Sequence, residues 1–137
     1  MKFEGKVFKD HEDEKYYSVV IEELGVYTQG KTLKECYEMA KDAIEMVVDK
    51  KGFSVEIFPA GKGIFYFVPN NINFVLAKML MVMRANSEMT VKEIIFTLGE
   101  KSETGYRRYE QGKTKISVEK FAELSSVFNK EPILKMA

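Results

Sequence analysis

Short apolar runs separated by polar turns dominate the first half of the chain, and this pattern predicts β-strands. The runs are rich in β-branched and aromatic residues, which suit the pleated surface of a sheet. Five such runs occur before position 70, at residues 2–9, 16–22, 26–29, 53–58 and 63–68. A charged segment, 9–15, separates the first two runs, and Pro59-Ala60-Gly61-Lys62 separates the last two. We therefore expect a hairpin turn between antiparallel neighbours at each of these places.

A helix is predicted between the third and fourth strands. Thr32 and Glu35 form a capping box, in which the Thr oxygen accepts from the N3 amide and the Glu reaches back to the cap amide. Apolar residues then recur at spacings of three and four and form a stripe suited to lie on a sheet. They are Leu33, Tyr37, Ala40, Ile44, Val47 and Val48. Gly52 is the expected C-terminal cap of this helix. With the helix between the third and fourth strands, the predicted element order is βββαββ.

The second half of the chain carries helical patterns. The segment from Ile72 to Arg84 is apolar around much of a helix surface. Thr90 and Glu93 form a second capping box, which predicts a short helix from Val91 to Leu98 that Gly99 ends. The apolar helix is expected to be core or a subunit interface, although its methionines also suit an adaptable binding surface.

Two further helices are predicted after Gly99. Ser102 caps a short helix that ends at Gly112, and Ser117 caps the last one. Short helices joined by a glycine-containing turn are the pattern of a helix-turn-helix. We therefore predict an α+β protein with two domains, a βββαββ domain over 1–69 and an all-α domain over 70–137.

The charge of the chain supports this division. It has 21 basic and 21 acidic residues in total, but residues 1–69 hold 10 basic against 13 acidic and residues 70–137 hold 11 against 8. Between Lys101 and Lys120 there are six basic residues and three acidic ones. A basic, helical second half favours DNA as a partner, whereas a charged helix face turned to water is the alternative.

Several classes of function are disfavoured by composition. A single cysteine, Cys36, and a single histidine, His11, make neither a disulfide nor a zinc site alone. Cys36 is expected to be a small core residue. The acidic run around His11 is expected to be a solvated turn, with a metal site as the less favoured reading. The chain shows no secretory signal and no apolar run long enough to span a membrane, so we expect a cytoplasmic protein without cofactor or metal.

The first half resembles the N-terminal domain of HicB antitoxins. The resemblance rests on Tyr17, Glu23-Leu24-Gly25, Thr28-Gln29-Gly30-Lys31-Thr32, Glu35-Cys36, Ala40 and Ala43. Two departures are the absence of the family's usual proline before the acidic turn and Cys36 in place of a common alanine. The resemblance implies a partial RNase H-like fold without nuclease activity. A metal-dependent nuclease would need several carboxylates converging from strand interiors, whereas the acids here cluster at turns and strand ends.

The second half resembles the helix-turn-helix of Cro and phage repressors. The resemblance rests on Arg108-Tyr109-Glu110-Gln111-Gly112-Lys113, Ile116-Ser117 and Phe121-Ala122-Glu123-Leu124. The spacing from Gly99 to Glu110 is one residue longer than usual, and Ile95 stands where a small alanine is common.

These patterns give a set of candidate DNA-binding residues. Arg107 or Arg108 could contact a guanine edge, while Lys113 and Lys115 lie where phosphates would run. The full set is Thr90, Ser102, Glu103, Thr104, Tyr106, Arg107, Arg108, Lys113 and Lys115. An inward-packed Tyr106 is the alternative for that residue.

The two resemblances together imply an antitoxin that is not an enzyme. Its first domain would bind a HicA-type ribonuclease toxin and its second would bind double-stranded operator DNA and repress the operon. A homodimer or a dimer of dimers is expected, because one such helix buries little surface on DNA. The alternative function is a stand-alone transcriptional repressor whose first domain binds a ligand or only oligomerises.

Overall fold

A computed structural model describes residues 1–128 and divides the chain into two compact units, with the boundary between Asn71 and Ile72. The first unit contains a five-stranded antiparallel sheet and one α-helix, and the second contains four α-helices within its described part. The predicted α+β class is confirmed. Across the described chain, no helix combines the length and the apolar character that crossing a membrane requires.

The sheet of the first unit has five strands, which are joined by four antiparallel pairings. Its strands are β1 Phe3–Lys9, β2 Tyr17–Ile21, β3 Val26–Gly30, β4 Val55–Gly61 and β5 Ile64–Pro69. They lie in the order β3-β2-β1-β5-β4, so that β3 and β4 form the two edges. A short 3₁₀ turn, Glu22–Leu24, joins β2 to β3 and ends at Gly25, whose φ is +67°.

Helix α1, Leu33–Val48, packs on one face of this sheet. The Thr32 hydroxyl accepts from the backbone N–H of Glu35, which is one of the two hydrogen bonds of the predicted capping box. The buried residues of α1 are Cys36, Ala40, Ile44 and Val48. The helix approaches β3 so closely at Gly30 that an added Cβ there would lie 2.9 Å from the Cys36 nitrogen. Cys36 is fully buried, as predicted.

The predicted end of α1 was wrong by one turn. The helix ends at Asp49, which adopts the left-handed conformation with φ of +49°, and Gly52 lies in the turn that follows. Aspartate tolerates this conformation better than most side chains.

The hairpin between β4 and β5 also differs from the prediction. Pro59 and Ala60 lie within β4, next to a register shift between Pro59 and Gly61, and the turn itself is Lys62-Gly63. Both turn residues have positive φ, at +56° and +77°, as tight two-residue hairpins require. Proline is tolerated in β4 because an edge strand does not need every N–H for pairing.

The second unit begins with a long helix and continues with three short ones. They are α2 Ile72–Ser87, α3 Val91–Leu98, α4 Glu103–Glu110 and α5 Val118–Ser126. The capping box of Thr90 and Glu93 is present, and Gly99 ends α3 with φ of +73°. Phe121 and Leu124 of α5 are buried, as are Leu76 and Leu80 of α2, and the four side chains belong to the core of this unit.

The loop between α4 and α5 is held against the first turn of α2. The Asn73 amide donates to the carbonyls of Gly112 and Thr114 at 3.1 and 3.3 Å, and its oxygen accepts from the Ile116 N–H at 2.8 Å. Gly112 has φ of +72°, and an added Cβ would lie 2.9 Å from the Phe74 ring. Backbone angle and close packing therefore both require glycine at this position.

Candidate nucleic-acid interface

The solvent-facing side of α4 carries a stripe of polar and cationic side chains. Thr104, Arg107, Arg108 and Gln111 are exposed and fall at helical spacings of three and four, which places them on one side of the helix and its C-terminal cap. Hydroxyl, guanidinium and carboxamide groups are those that form hydrogen bonds with base edges and phosphates. Among the sequence-predicted residues, the structure thus brings Thr104, Arg107 and Arg108 together.

The opposite side of α4 fixes the orientation of this stripe. Glu110 is only 8% exposed and accepts two hydrogen bonds from the Arg84 guanidinium of α2, at 2.8 and 2.9 Å. These bonds raise the pKa of Arg84 above its ordinary value. A bidentate ion pair between α2 and α4 has a defined geometry, so it resists rotation of α4 about its axis.

Tyr106 lies on the buried side as well, and its inclusion among the DNA-contacting residues was wrong. Its side chain is 3% exposed, so it cannot reach a ligand on the outer face. Burial, with the carboxylate of Glu110 nearby, raises the pKa of the Tyr106 hydroxyl far above its ordinary value. Tyr106 is therefore a neutral core residue, buried on the same helix as Glu110.

Two of the predicted lysines extend the cationic surface beyond α4. Lys113 and Lys115 are exposed in the loop that Asn73 fixes. The Lys113 N–H donates to the Arg108 carbonyl at 3.0 Å, which holds the loop against the end of α4. Lys120, by contrast, pairs with Glu100 at 3.1 Å and Glu123 at 3.4 Å, and it ties α5 to the turn before α4.

The remaining predicted residues have local structural roles. The hydroxyls of Thr90 and Ser102 accept from the N–H groups of Glu93 and Gly105, so each caps its helix. Glu103 forms an exposed ion pair of 3.6 Å with Arg107. A surface pair of this kind contributes little stability and leaves Arg107 available to a stronger anion.

Gln111 is a member of the stripe that the sequence analysis missed as a site residue. It lies three positions after Arg108 and seven after Thr104, at the C-terminal cap of α4. Helical spacing counted from Thr104 could have identified it.

The first unit has its own charged feature, the turn between β1 and β2. The Asp10 carboxylate accepts from the N–H groups of Glu12 and Asp13, from the Ser18 hydroxyl and from the Gln29 amide, at 2.8 to 3.3 Å. The backbone N–H of Glu12 is the main reason that the pKa of Asp10 lies below its ordinary value. The predicted acidic turn is confirmed, and its carboxylates face solvent.

Within residues 1–128, no group of three or more His, Cys, Asp or Glu side chains could hold a metal ion. The positions of β1 that face the core hold Phe3, Gly5 and Val7, which carry no carboxylate.

No protein-family model matches the chain, and neither does any curated protein.

Proposed function

We propose that this chain is an antitoxin of the HicB type, which neutralises a HicA-type ribonuclease through its first unit and represses its own operon through its second. The β1–β3 meander with α1 packed on it supports a partial RNase H-like class for the first unit. The capped pair α3 and α4, joined by Gly99 to Ser102, supports a helix-turn-helix class for the second. The chain acts as a binding protein in the cytoplasm and not as an enzyme.

The observation that carries the DNA-binding half of the proposal is the exposed stripe of α4. Thr104, Arg107, Arg108 and Gln111 lie along one side of a helix whose other side is fixed by the Arg84–Glu110 pair. Lys113 and Lys115 follow at the end of the helix, where phosphates of a bound duplex would run. Two such helices, related by a two-fold axis in a homodimer or a dimer of dimers, would meet two half-sites of a palindromic operator.

Co-expression with the neighbouring gene tests the proposal. We expect an adjacent reading frame to encode a basic protein of about 60–80 residues that arrests growth alone and co-purifies with this chain when growth is restored. The purified complex should bind the DNA upstream of its own operon in a salt-dependent manner. Specific binding of that DNA without any binding or neutralisation of the neighbouring protein would instead identify a stand-alone repressor.

A further inference from the structure

The two arginines of the α4 stripe have different surroundings. Arg107 and Arg108 are both exposed, and as consecutive residues they project from α4 about 100° apart. Each guanidinium group therefore meets its own set of neighbours. Those neighbours determine which donors of each group are free to bind a base.

The terminal nitrogens of Arg107 face a carboxylate. Its Nη2 lies 3.6 Å from Oε1 of Glu103, one turn earlier on the same helix. The terminal nitrogens are also the donors of an end-on bidentate contact with guanine. A phosphate is an anion and can displace the carboxylate, whereas the edge of a guanine is uncharged. Arg107 is therefore better suited to a phosphate than to a base.

Arg108 is held at a different nitrogen. Its Nε donates to the hydroxyl of Thr114 at 3.4 Å, and among residues 1–128 this is the hydrogen bond that the Arg108 side chain makes. Because the guanidinium group is planar, a partner at Nε orients the whole fork. The partner is neutral and the two terminal nitrogens remain free, so the donors required by a guanine edge are available.

Thr114 itself has a fixed position. Its carbonyl accepts from the amide of Asn73 on α2 at 3.3 Å, and its N–H donates to the carbonyl of Arg108 at 3.4 Å. The loop is thus bonded both to α2 and to the end of α4. The hydroxyl that meets Arg108 Nε is supported by two helices, as a precisely placed site requires.

The position of Arg108 along α4 also suits contact with a base. Recognition helices direct their N-terminal residues at base edges, and Thr104 is the second residue of α4. Arg108 lies one turn after Thr104 on the same side of the helix, whereas Arg107 lies one turn after Glu103. A long side chain in line with Thr104 points toward the same groove.

We propose that Arg108 reads a guanine of the operator and that Thr114 is its positioning residue. The terminal nitrogens of Arg108 donate to O6 and N7 of the base in the major groove, while the Thr114 hydroxyl holds Nε. Arg107 binds a phosphate nearby. The inference rests on the proposed function, which supplies the DNA, and it adds the base that is read and the residue that reads it.

The test uses the full chain, purified with its neighbour-encoded protein, and the duplex upstream of its operon. Each guanine is replaced in turn by 7-deazaguanine, which lacks the N7 acceptor but still pairs with cytosine. One such replacement in each half-site should weaken binding of the wild type by about fivefold or more.

Replacing each arginine by lysine identifies the residue that makes this contact. Arg108→Lys keeps the charge but not the fork, so it should bind the unmodified duplex about fivefold or more less tightly. The 7-deazaguanine at the sensitive position should then cost it less than about twofold, because the contact is already lost. Arg107→Lys is the matched control and should remain as sensitive to that replacement as the wild type.

Variants of Thr114 test the positioning role and keep the proposal falsifiable if Arg108→Lys is unfolded. Thr114→Val removes the hydroxyl and leaves the backbone hydrogen bonds in place. The ratio of affinities for the unmodified and 7-deazaguanine duplexes should fall about threefold, and Thr114→Ser should restore it. A merely structural role would weaken binding of both duplexes alike and leave the ratio unchanged.

Thr97→Val is the control for the threonine variants. It removes an exposed hydroxyl of α3, which donates to the Glu93 carbonyl at 2.8 Å, and it should not change the ratio. Circular dichroism, together with binding to an unrelated duplex of equal length, shows whether each variant is folded.

The outcomes that overturn the proposal are distinguishable. If the wild-type complex does not bind the upstream duplex, the DNA-binding part of the proposed function fails, and this inference fails with it. If it binds and no 7-deazaguanine weakens binding, the function stands and Arg108 does not read guanine. If Arg107→Lys instead abolishes the sensitivity, the two arginines have the opposite roles. An unchanged ratio in Thr114→Val would show that Thr114 does not position Arg108.

Discussion

Glu110 is a buried charged residue of the helical unit, and its ion pair with Arg84 holds the exposed stripe of α4 in position. Glu110→Ala should destabilise the helical unit by about 2 kcal/mol, because the Arg84 guanidinium loses two charge-assisted hydrogen bonds. The cost is below the ~3–5 kcal/mol of a fully buried pair, since the Arg84 side chain is 32% exposed. Native-state hydrogen exchange of α2 and α4 amides measures it.

Glu103→Ala is the matched control for that measurement. It removes an acid from the same helix, but the Glu103–Arg107 pair is exposed, so its loss should change stability by less than about 0.5 kcal/mol. Equal effects of the two variants would contradict an orienting role for Glu110.

Asp10 gives a prediction about pH. Its folded pKa lies below the ordinary value of 3.8, mainly because the Glu12 N–H bonds the charged form. Its stabilising contribution is therefore present above the unfolded pKa and is lost as pH falls through the folded one. Asp10→Asn should lower the melting temperature at pH 7, and the difference from wild type should shrink below pH 4. An Asp10 carboxylate that titrates by NMR at or above 3.8 would contradict this account.

At the scale of elements, close approach between strands gives a prediction for Gly5. An added Cβ there would lie 2.2 Å from Cζ of the Phe65 ring, which lies over the glycine from the paired strand. Gly5→Ala should therefore destabilise the sheet by about 1–3 kcal/mol, the usual cost of overpacking a core. Hydrogen exchange in β1 and β5 measures the effect without requiring the two units to unfold together.

Gly105→Ala provides the opposite case. No atom outside the local backbone lies within 4 Å of its added Cβ, and the residue is in the first turn of α4 with no positive φ. It should stabilise α4 by about 0.5–1 kcal/mol, because alanine loses less backbone entropy in a helix. Unchanged or faster exchange of the α4 amides would show a packing role for this glycine.

The sequence predicted elements well where the signals were local. Val91–Leu98 has the predicted bounds because its start and stop are both encoded, by the Thr90 capping box and by Gly99. The end of α1 was missed because Asp49 adopts a conformation for which Gly52 seemed the better candidate. Pro59 was placed in a turn because nothing in the sequence shows that β4 is an edge strand, which depends on the order of the whole sheet.

The candidate site was predictable only in part. Composition and spacing indicated Arg107, Arg108 and the two lysines after them, but the facing of Tyr106 depends on how α4 rotates against α2. That rotation is fixed by the pair of Arg84 and Glu110, 26 residues apart in sequence. A contact over such a distance leaves no periodic signal in a single sequence.

At the scale of the whole molecule, we first predict that the chain forms at least a dimer. One exposed stripe on an eight-residue helix offers too little contact for specific DNA binding, so the chain should pair through two-fold symmetry. Light scattering at micromolar concentration should give at least twice the chain mass of 15.8 kDa. A monomer that binds operator DNA with full affinity would contradict this expectation.

The separation of charge between the units predicts that their activities can be removed independently. Arg107→Ala and Arg108→Ala should each weaken binding to the upstream DNA by about 1–3 kcal/mol if the side chain contacts a base edge. Lys113→Ala should mainly reduce the slope of the logarithm of the binding constant against the logarithm of the salt concentration, by about 1. Neutralisation of the neighbouring protein should remain intact in all three. Lys34→Ala with Lys51→Ala is the control, since it removes two exposed charges from the first unit.

That control separates a local effect from a change in net charge. If Lys34→Ala with Lys51→Ala weakens DNA binding as much as Arg107→Ala or Arg108→Ala does, the binding is non-specific attraction to the whole chain and α4 does not read the DNA sequence. If the arginine variants instead lose neutralisation and keep DNA binding, the roles of the two units are reversed. If the arginine variants lose DNA binding but still neutralise the neighbouring protein, the two partners must bind different surfaces. The acidic charge of the sheet unit and the cationic stripe of α4 predict this result.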